Sequence, residues 1–410
     1  MTAAVDDVMT EEAVHARTWL SEHGLPTGRE EDWRYTPVAE VRRRLDEMPE
    51  APAPARSVTG DDVDRLAGRH GAVRIVHVDG VHVPELSDGA LPAGLWVGTT
   101  HNLSARVRLQ LTTPAGDPPD GFEALNRSAS QDVLYLLVAD DADLREPVHV
   151  VHVSTGASAS HPRLVVDVGV GGRIHLVESH VSLDGGGFTN ASTTVRLSAR
   201  SHADVHRVQD QATDAVHVGR LELHHDAGAH ASVTALSRGG AISRLTTVAL
   251  LREPEASCTV TALLAPGIGA RHDDAVTVDH IASHCTSDLT VRSVVPERAR
   301  VTSSGHAIVR PGTVATVAHQ RTDSLVLHPS GQADSRPWLE IFADDVRANH
   351  GSATGRIDDD ALFYLRSRGI PRAEARDVLV GAFARTLVER IEPPSLRDQV
   401  AGWFGPEGTA

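Results

Sequence analysis

Histidine is the residue that invites chemistry in this sequence. The chain has 410 residues, 24 of them histidines, and a neutral imidazole is a ready ligand for zinc, iron or copper. The histidines come in groups. His149 and His152 are three apart, His202 and His206 are four apart, His224-His225 and His230 follow, and His272, His280 and His284 precede Cys285. Any pair could share a metal ion. On a strand, residues an even number apart share a face, so His280 and His284 align while Cys285 points away. No group reproduces a known zinc or di-metal spacing. The plainer reading is preferred, that of exposed or half-buried histidines at polar positions that lysine would otherwise fill.

The other chemical residues are sparser. Asp344-Asp345, with His350 downstream, is the densest polar cluster late in the chain. Adjacent carboxylates on a strand face opposite sides, so they make no acid/base pair by themselves and read as a solvated turn. Cys258 and Cys285 are too few for a disulfide framework and read as small buried apolar groups. Arg29 to Pro37 is a compact polar-aromatic cluster; its segment Glu31-Asp32-Trp33-Arg34-Tyr35 lacks a nucleophile–base arrangement and reads as packing and ion pairing. There is no Gly-x-Ser-x-Gly elbow.

Composition narrows the function classes. All 39 basic residues are arginine, which excludes a Schiff-base lysine, a Ser-Lys dyad and a Walker A motif. If ATP is used, another subunit binds it. The formal charge of −16 argues against nucleic acid, which needs a basic face. No apolar run approaches membrane-helix length, and the acidic N-terminus lacks a basic region followed by an apolar stretch. The expectation is a cytoplasmic protein with no membrane contact.

Three zones must position these residues. Residues 1–70 read as helical, with Val14, Ala16, Trp19 and Leu20 in a helix over Glu11–His23 stopped by Gly24 and Pro26. A Pro-rich linker over Pro49–Pro54 follows. Residues 71–350 read as β-rich: short apolar or alternating runs such as Leu164–Val168 and Arg173–Val177 are broken by Gly171-Gly172, Gly185–Gly187, Gly239-Gly240 and Pro311-Gly312. This excludes a doubly wound α/β sheet and leaves a large sandwich or barrel or a β-solenoid. With only 3% aromatic residues, small branched side chains must fill the core. Residues 351–410 turn helical again. Asp358 is an N-cap and Gly369 a stop, and Pro371 opens a helix with Leu379, Phe383, Leu387 and Ile391 four apart. Trp403-Phe404 forms an apolar anchor.

Read together, these segments resemble the SufB/SufD family of iron–sulfur cluster assembly scaffolds. The stretch from Pro337 to Asp358, with Leu339-Glu340-Ile341, Ala343-Asp344-Asp345-Val346 and His350-Gly351, follows the family pattern P-x-L-E-I-x-A-D-D-V-x-C-x-H-G. It continues through Leu362-Phe363-Tyr364-Leu365 to Ser367-Arg368-Gly369-Ile370. Trp33-Arg34-Tyr35-Thr36 and Phe122-Glu123-Ala124-Leu125-Asn126 match two further family motifs. The Asp323-Ser324-Leu325 segment lacks the cysteines of the SufB type, so the likeness is to the SufD type. One departure matters: the family cysteine two residues before the histidine is Ala348 here.

The resemblance implies a mainly β chain with a right-handed parallel β-helix core flanked by helical parts. It implies a non-catalytic scaffold that pairs with a SufB-like paralogue and a SufC-like ABC ATPase. A transient cluster would form at the SufB interface, with none held stably by the isolated chain. His350 becomes the cluster or metal ligand, with Asp344 or Asp345 orienting its ring. Leu379, Phe383 and Leu387, rimmed by Arg366, Arg368 and Arg372, become the ATPase dock, and residues 313–343 the SufB contact. Self-pairing of the isolated chain into a homodimer is the alternative to that contact. Two other functions compete: a divergent histidine-rich metal binder, and a β-helix carbohydrate-active enzyme.

Overall fold

The computed structural model describes residues 3–49, 57–100 and 116–404; most of the Pro-rich linker lies outside them. Helices α1 (Ala3–His23), α2 (Val38–Asp46) and α3 (Gly60–Ala67) precede the first strands, and α4 (Gly121–Ala129) sits among them. The early strands are β1 (Val73–Val78), β2 (Val81–His82), β3 (Leu95–Thr99), β4 (Val133–Val138), β5 (Asp143–Ser154), β6 (Ala159–Ser160) and β7 (Arg163–Val168). Then come β8 (Arg173–Ser182), β9 (Phe188–Leu197), β10 (His202–Asp210), β11 (Val216–His225), β12 (His230–Ser237), β13 (Ile242–Leu251) and β14 (Ser257–Leu264). The last are β15 (Arg271–His280), β16 (Thr286–Val295), β17 (Arg300–Val309), β18 (Thr316–Val326), β19 (Gln332–Ile341) and β20 (Val346–Arg356). Helices α5 (Asp359–Ser367), α6 (Arg372–Val388) and α7 (Pro394–Gly402) close the described chain.

From β7 onward the main strands alternate between two sheets and pair in parallel with the strand two places earlier. The architecture is therefore a parallel β-solenoid, as the resemblance implied. Arg173, His202, His230, Ser257, Thr286, Val317 and Arg347 stack in register, 27 to 31 residues apart. The glycine pairs seen in the sequence fall at the corners between strands.

Each strand contributes alternate residues to the interior. One half of the interior is apolar: Ile174 and Leu176, Ala203 and Val205, Ala231 and Val233, and Cys258 and Val260 stack from coil to coil. Burial pushes the Cys258 thiol up to about 12, and Cys285 lies in the same core. Neither thiol is presented for ligation. Towards the C-terminal ends of the first sheet's strands the same alternation turns polar, with His77, His152, Glu178, His180, Arg207 and Gln209 all buried. Facing them from the second sheet are Thr193, His217, His272 and Asp274. Gly219 keeps this half open, because a Cβ there would stand 2.6 Å from His217 Nε2 and 3.3 Å from Arg207 Nη2.

The outer faces are covered by helices. On the first sheet Val177, Val208, Leu236, Leu263 and Val294 form an outward apolar ladder. Helices α6 and α7 lie on it through Val380, Ala384, Leu387, Val388, Leu396, Val400 and Trp403. On the second sheet, Trp33, Val38, Val41 and Phe122 pack against Phe188, Val216, Val218 and Ile242. There the motif around Trp33 clamps the N-terminal segment onto the solenoid. The buried Arg244 guanidinium lies 4.2 Å from the Trp33 ring centre and 2.6 Å from Asp273 Oδ2, and the Thr36 hydroxyl donates to Asp273. Asn126 Nδ2 donates to the carbonyls of Pro162 and Asn190, and Asn190 Nδ2 returns a bond to the Phe122 carbonyl. No described helix is long and apolar enough to cross a membrane.

The row Leu379, Phe383, Leu387 therefore differs from the expectation of a partner-facing surface. Leu387 is buried and Phe383 packs against the same core, because the solenoid's own apolar ladder needs a cover. Leu387→Ala should lower stability by about 2–4 kcal/mol, whereas Phe363→Ala, at a position 70% exposed, should change it by less than about 0.5 kcal/mol. Equilibrium denaturation of the two variants checks this. A second test concerns Asp274, buried with both carboxylate oxygens unpartnered. Burial, reinforced by the Asp273 charge, pushes its carboxyl up to about 7 against the pull of Arg244 and Arg207. The folded chain holds a proton that the unfolded chain releases near 3.8, so this group costs stability as pH climbs to about 7 and no further above it. Asp274→Asn should be more stable than wild type by about a few kcal/mol at pH 8, with the gap closing as pH falls to about 4.

Candidate functional site

The solenoid's last coil is its most exposed part. Among the described residues, strands β19 and β20 pair on one side only, with β17 and β18, and none of their residues is buried. Trp338, Ile341 and Phe342 are 42%, 42% and 56% exposed at this end. The Trp338 ring stacks on His306 at 4.4 Å between centres, which fixes its orientation while leaving an open face.

His350 is exposed in the middle of β20, in register with Gln320 of β18. β20 continues past it to Arg356. Ala348 lies two residues earlier on the same strand, so the position of the family cysteine shares the face of His350. Asp344 and Asp345 form the bend between β19 and β20. The Ala315 amide donates to Asp345 Oδ2 at 2.9 Å and the Thr316 amide to the Asp345 carbonyl at 3.2 Å. The Val346 amide donates to the Asp344 carbonyl at 3.1 Å. Asp345 thus ties the last coil to the one before it rather than holding the imidazole.

The C-terminal helices present a second exposed patch. Arg366, Arg368 and Arg372 are exposed, and the Arg368 guanidinium sits 3.5 Å from the Tyr364 ring centre. Phe363, Tyr364 and Val378 are the exposed apolar groups here, at 70%, 56% and 49%.

Most of the other histidines are separated by the fold. His149 Nε2 lies 2.9 Å from Ser179 Oγ, His280 Nε2 2.9 Å from Ser287 Oγ, and His272 Nδ1 2.9 Å from Ser237 Oγ. His202 and His230 stack at 4.7 Å, with His202 Nε2 3.1 Å from Asp204 Oδ2. His206 is buried and held at about 4, while His224 lies 2.8 Å from Glu222 Oε1. His225 is buried and held at about 3, and His284 occupies a left-handed turn with φ 61°.

His152 joins a buried cluster with Glu178 and His180, which local sequence spacing does not bring together with it. His152 Nε2 lies 3.4 Å and His180 Nε2 3.3 Å from Glu178 Oε1. Arg207 Nε lies 2.9 Å from Glu178 Oε2, and the Thr193 hydroxyl donates to Oε1 at 2.7 Å. Burial alone would raise the Glu178 carboxyl, but Arg207 and the two imidazoles hold it well below the usual carboxylate range. Burial holds His180 at about 4 against the pull of Glu178. The sequence does carry a signal: His-Val-Ser occurs at His152 and again at His180, one coil later, and the two histidines are register partners.

The family profile described as SUF system FeS cluster assembly, SufBD core domain, matches residues 150–383. The chain is 28% identical over 388 residues to the iron–sulfur cluster assembly protein SufD of Escherichia coli (strain K12), covering 93% of this chain and 89% of that one. It is 24% identical to an iron–sulfur cluster assembly SufBD family protein of Synechocystis, over 96% of this chain and 90% of the relative. It is also 24% identical to the chloroplastic protein ABCI7 of Arabidopsis thaliana, over 91% of this chain and 81% of the relative. The profile match runs from within β5 to within α6, so it takes in most of the solenoid, and the similarity to the relatives extends over nearly the whole chain: the chain belongs to the SufB/SufD family of iron–sulfur cluster assembly proteins.

Proposed function

We propose that this chain is the SufD-type scaffold subunit of a cytoplasmic assembly complex. It joins a SufB-like paralogue through its last coil and a SufC-like ATPase through its C-terminal helices. The observation that carries the reading is the asymmetry of the solenoid's two ends. At the start, short antiparallel strands blunt the edges: β2 reverses onto β1, and β3 onto β4. At the finish, β19 and β20 are ten and eleven residues long, and among the described residues the outer edge of each is unpaired, beside exposed Trp338 and Phe342. A long unblunted edge invites pairing with another chain, and a solenoid of similar cross-section is the partner that fits two edges at once.

The chemistry divides accordingly. This chain brings an exposed imidazole, His350, to the interface but no thiolate, since Ala348 replaces the family cysteine and both cysteines are buried in the core. Sulfur and thiolate ligands then come from the SufB-like side, and the nascent cluster is cargo passing through. An iron bound by imidazole and thiolate together is chemically sound. The chain has no lysine to build a Walker A site, so ATP turnover belongs to the docked partner. Arg366, Arg368 and Arg372 around Phe363 and Tyr364 supply the docking face, a charged rim on an aromatic centre.

Two tests follow. Trp338→Asp combined with Phe342→Asp should weaken association with the SufB-like chain by about 100-fold or more, read by native mass spectrometry of the mixed chains. Unchanged association, or a persistent homodimer with no heterocomplex, would remove the interface assignment. His350→Ala should leave both partners bound but sharply lower cluster formation on the complex, followed by visible absorbance during reconstitution. Cluster yield near wild type would remove the ligand role.

A further inference from the structure

The polar half of the solenoid interior contains an arrangement that the scaffold role does not use. His152 on β5 and Glu178 and His180 on β8 converge from neighbouring strands, and each is at least 95% buried. One ligand atom from each lies within 4.8 Å of the other two. Both imidazole nitrogens of His152 and both of His180 lack a hydrogen-bond partner. The two Nε2 atoms approach Glu178 Oε1 at 3.4 and 3.3 Å without the alignment a donated hydrogen would need. Four unpartnered buried ring nitrogens beside a carboxylate are costly unless something satisfies them.

The spacing identifies what would. Ligand atoms about 2.05 Å from a tetrahedral ion stand about 3.3 Å from one another, close to the 3.4 and 3.3 Å between Glu178 Oε1 and the two Nε2 atoms; the two rings are stacked 4.7 Å apart, so closing on an ion requires them to turn. The donor set also selects: two imidazoles and one carboxylate suit Zn(II) and Fe(II), whereas Ca(II) and Mg(II) prefer oxygen. Neighbouring groups hold the carboxylate in position. Arg207 engages Oε2 and the Thr193 hydroxyl donates to Oε1, which keeps a second lone pair for a further ligand. The Arg207 charge opposes a cation, and the buried Asp274 carboxyl, which interacts with the same guanidinium, offsets part of it when ionised.

We propose that His152, Glu178 and His180 bind one divalent transition-metal ion, of the Zn(II) or Fe(II) kind, inside the solenoid. The ion is a resident one that bridges adjacent coils. It is separate from the cluster cargo at the last coil and independent of the partner assignments above.

The test uses the full-length chain, stripped with a chelator and titrated with Co(II), whose visible d–d bands report tetrahedral nitrogen and oxygen ligation. A parallel sample is refolded in Co(II), because the site is enclosed. One Co(II) per chain in either sample, displaced by Zn(II) or by Fe(II) under anaerobic conditions, is expected; the displacing ion shows which metal the site prefers. His152→Gln and His180→Gln should each weaken Co(II) binding by about 100-fold or more, while His77→Gln and His350→Ala leave it unchanged. Retention of Co(II) by His350→Ala keeps this result separable from that of the interface histidine. Since a buried substitution can unfold the chain, hydrogen exchange on the wild type gives a second readout: Co(II) should slow the amides of β5 and β8. Absence of stoichiometric Co(II) in both samples, binding undiminished in folded His152→Gln and His180→Gln, or protection confined to other strands would overturn the proposal.

Discussion

A parallel β-ladder has no natural end, and this constraint organises the molecule. Each coil satisfies the backbone of the one before it and leaves its own far edge unmet. At the first coil the chain resolves this itself by folding short strands back antiparallel. At the last coil both sheets end open among the described residues, in β19 and β20. The bend at Asp344-Asp345 fastens that open coil to the preceding one through the amides of Ala315 and Thr316, so the edge is held in place although one side is unpaired. An edge this long is an aggregation hazard for a solitary chain and an asset for a subunit.

The helices answer a different requirement. The solenoid's outward apolar ladders must be covered, and the flanking helices cover them. Arg244 shows how specific that covering is. It is fully buried, yet its charge is met by Asp273 and its flat face by Trp33, so the N-terminal segment and the sheet beneath it form one unit. The interior carries the opposite feature. Half of it is apolar and interchangeable in kind, while the other half concentrates histidines, Glu178 and Arg207 where an apolar filling would be less costly. Such a polar core is a site to explain by function rather than by stability.

Much of this was legible from residue order, and the limits have physical causes. Turn-forming glycines and prolines marked the corners, and the absence of helical periodicity separated a β-zone from a doubly wound sheet. The choice of solenoid over sandwich was not decided by periodicity, because coils of 27 to 31 residues smear any fixed repeat. Asp358 caps α5 as its side chain suggested, with its carboxylate accepting from the Asp360 amide at 2.8 Å. The row Leu379, Phe383, Leu387 was correctly apolar, but periodicity says that a face is buried, not against what. The Trp33 and Phe122 motifs proved to be packing devices. Glu178 and His180 were overlooked because strand register, not local spacing, brings them to His152.

In the proposed complex the last coil, with its open outer edge, is where this chain meets a SufB-like paralogue. Hydrogen exchange of the full chain, alone and mixed with the SufB-like paralogue, tests it most directly. The amides of Gln332–Ile341 and Val346–Arg356 should exchange fast in the isolated chain and become protected on mixing, with β1 to β4 unchanged. Protection confined to the first coils, or to the outer helices with β19 and β20 still exchanging freely, would contradict it.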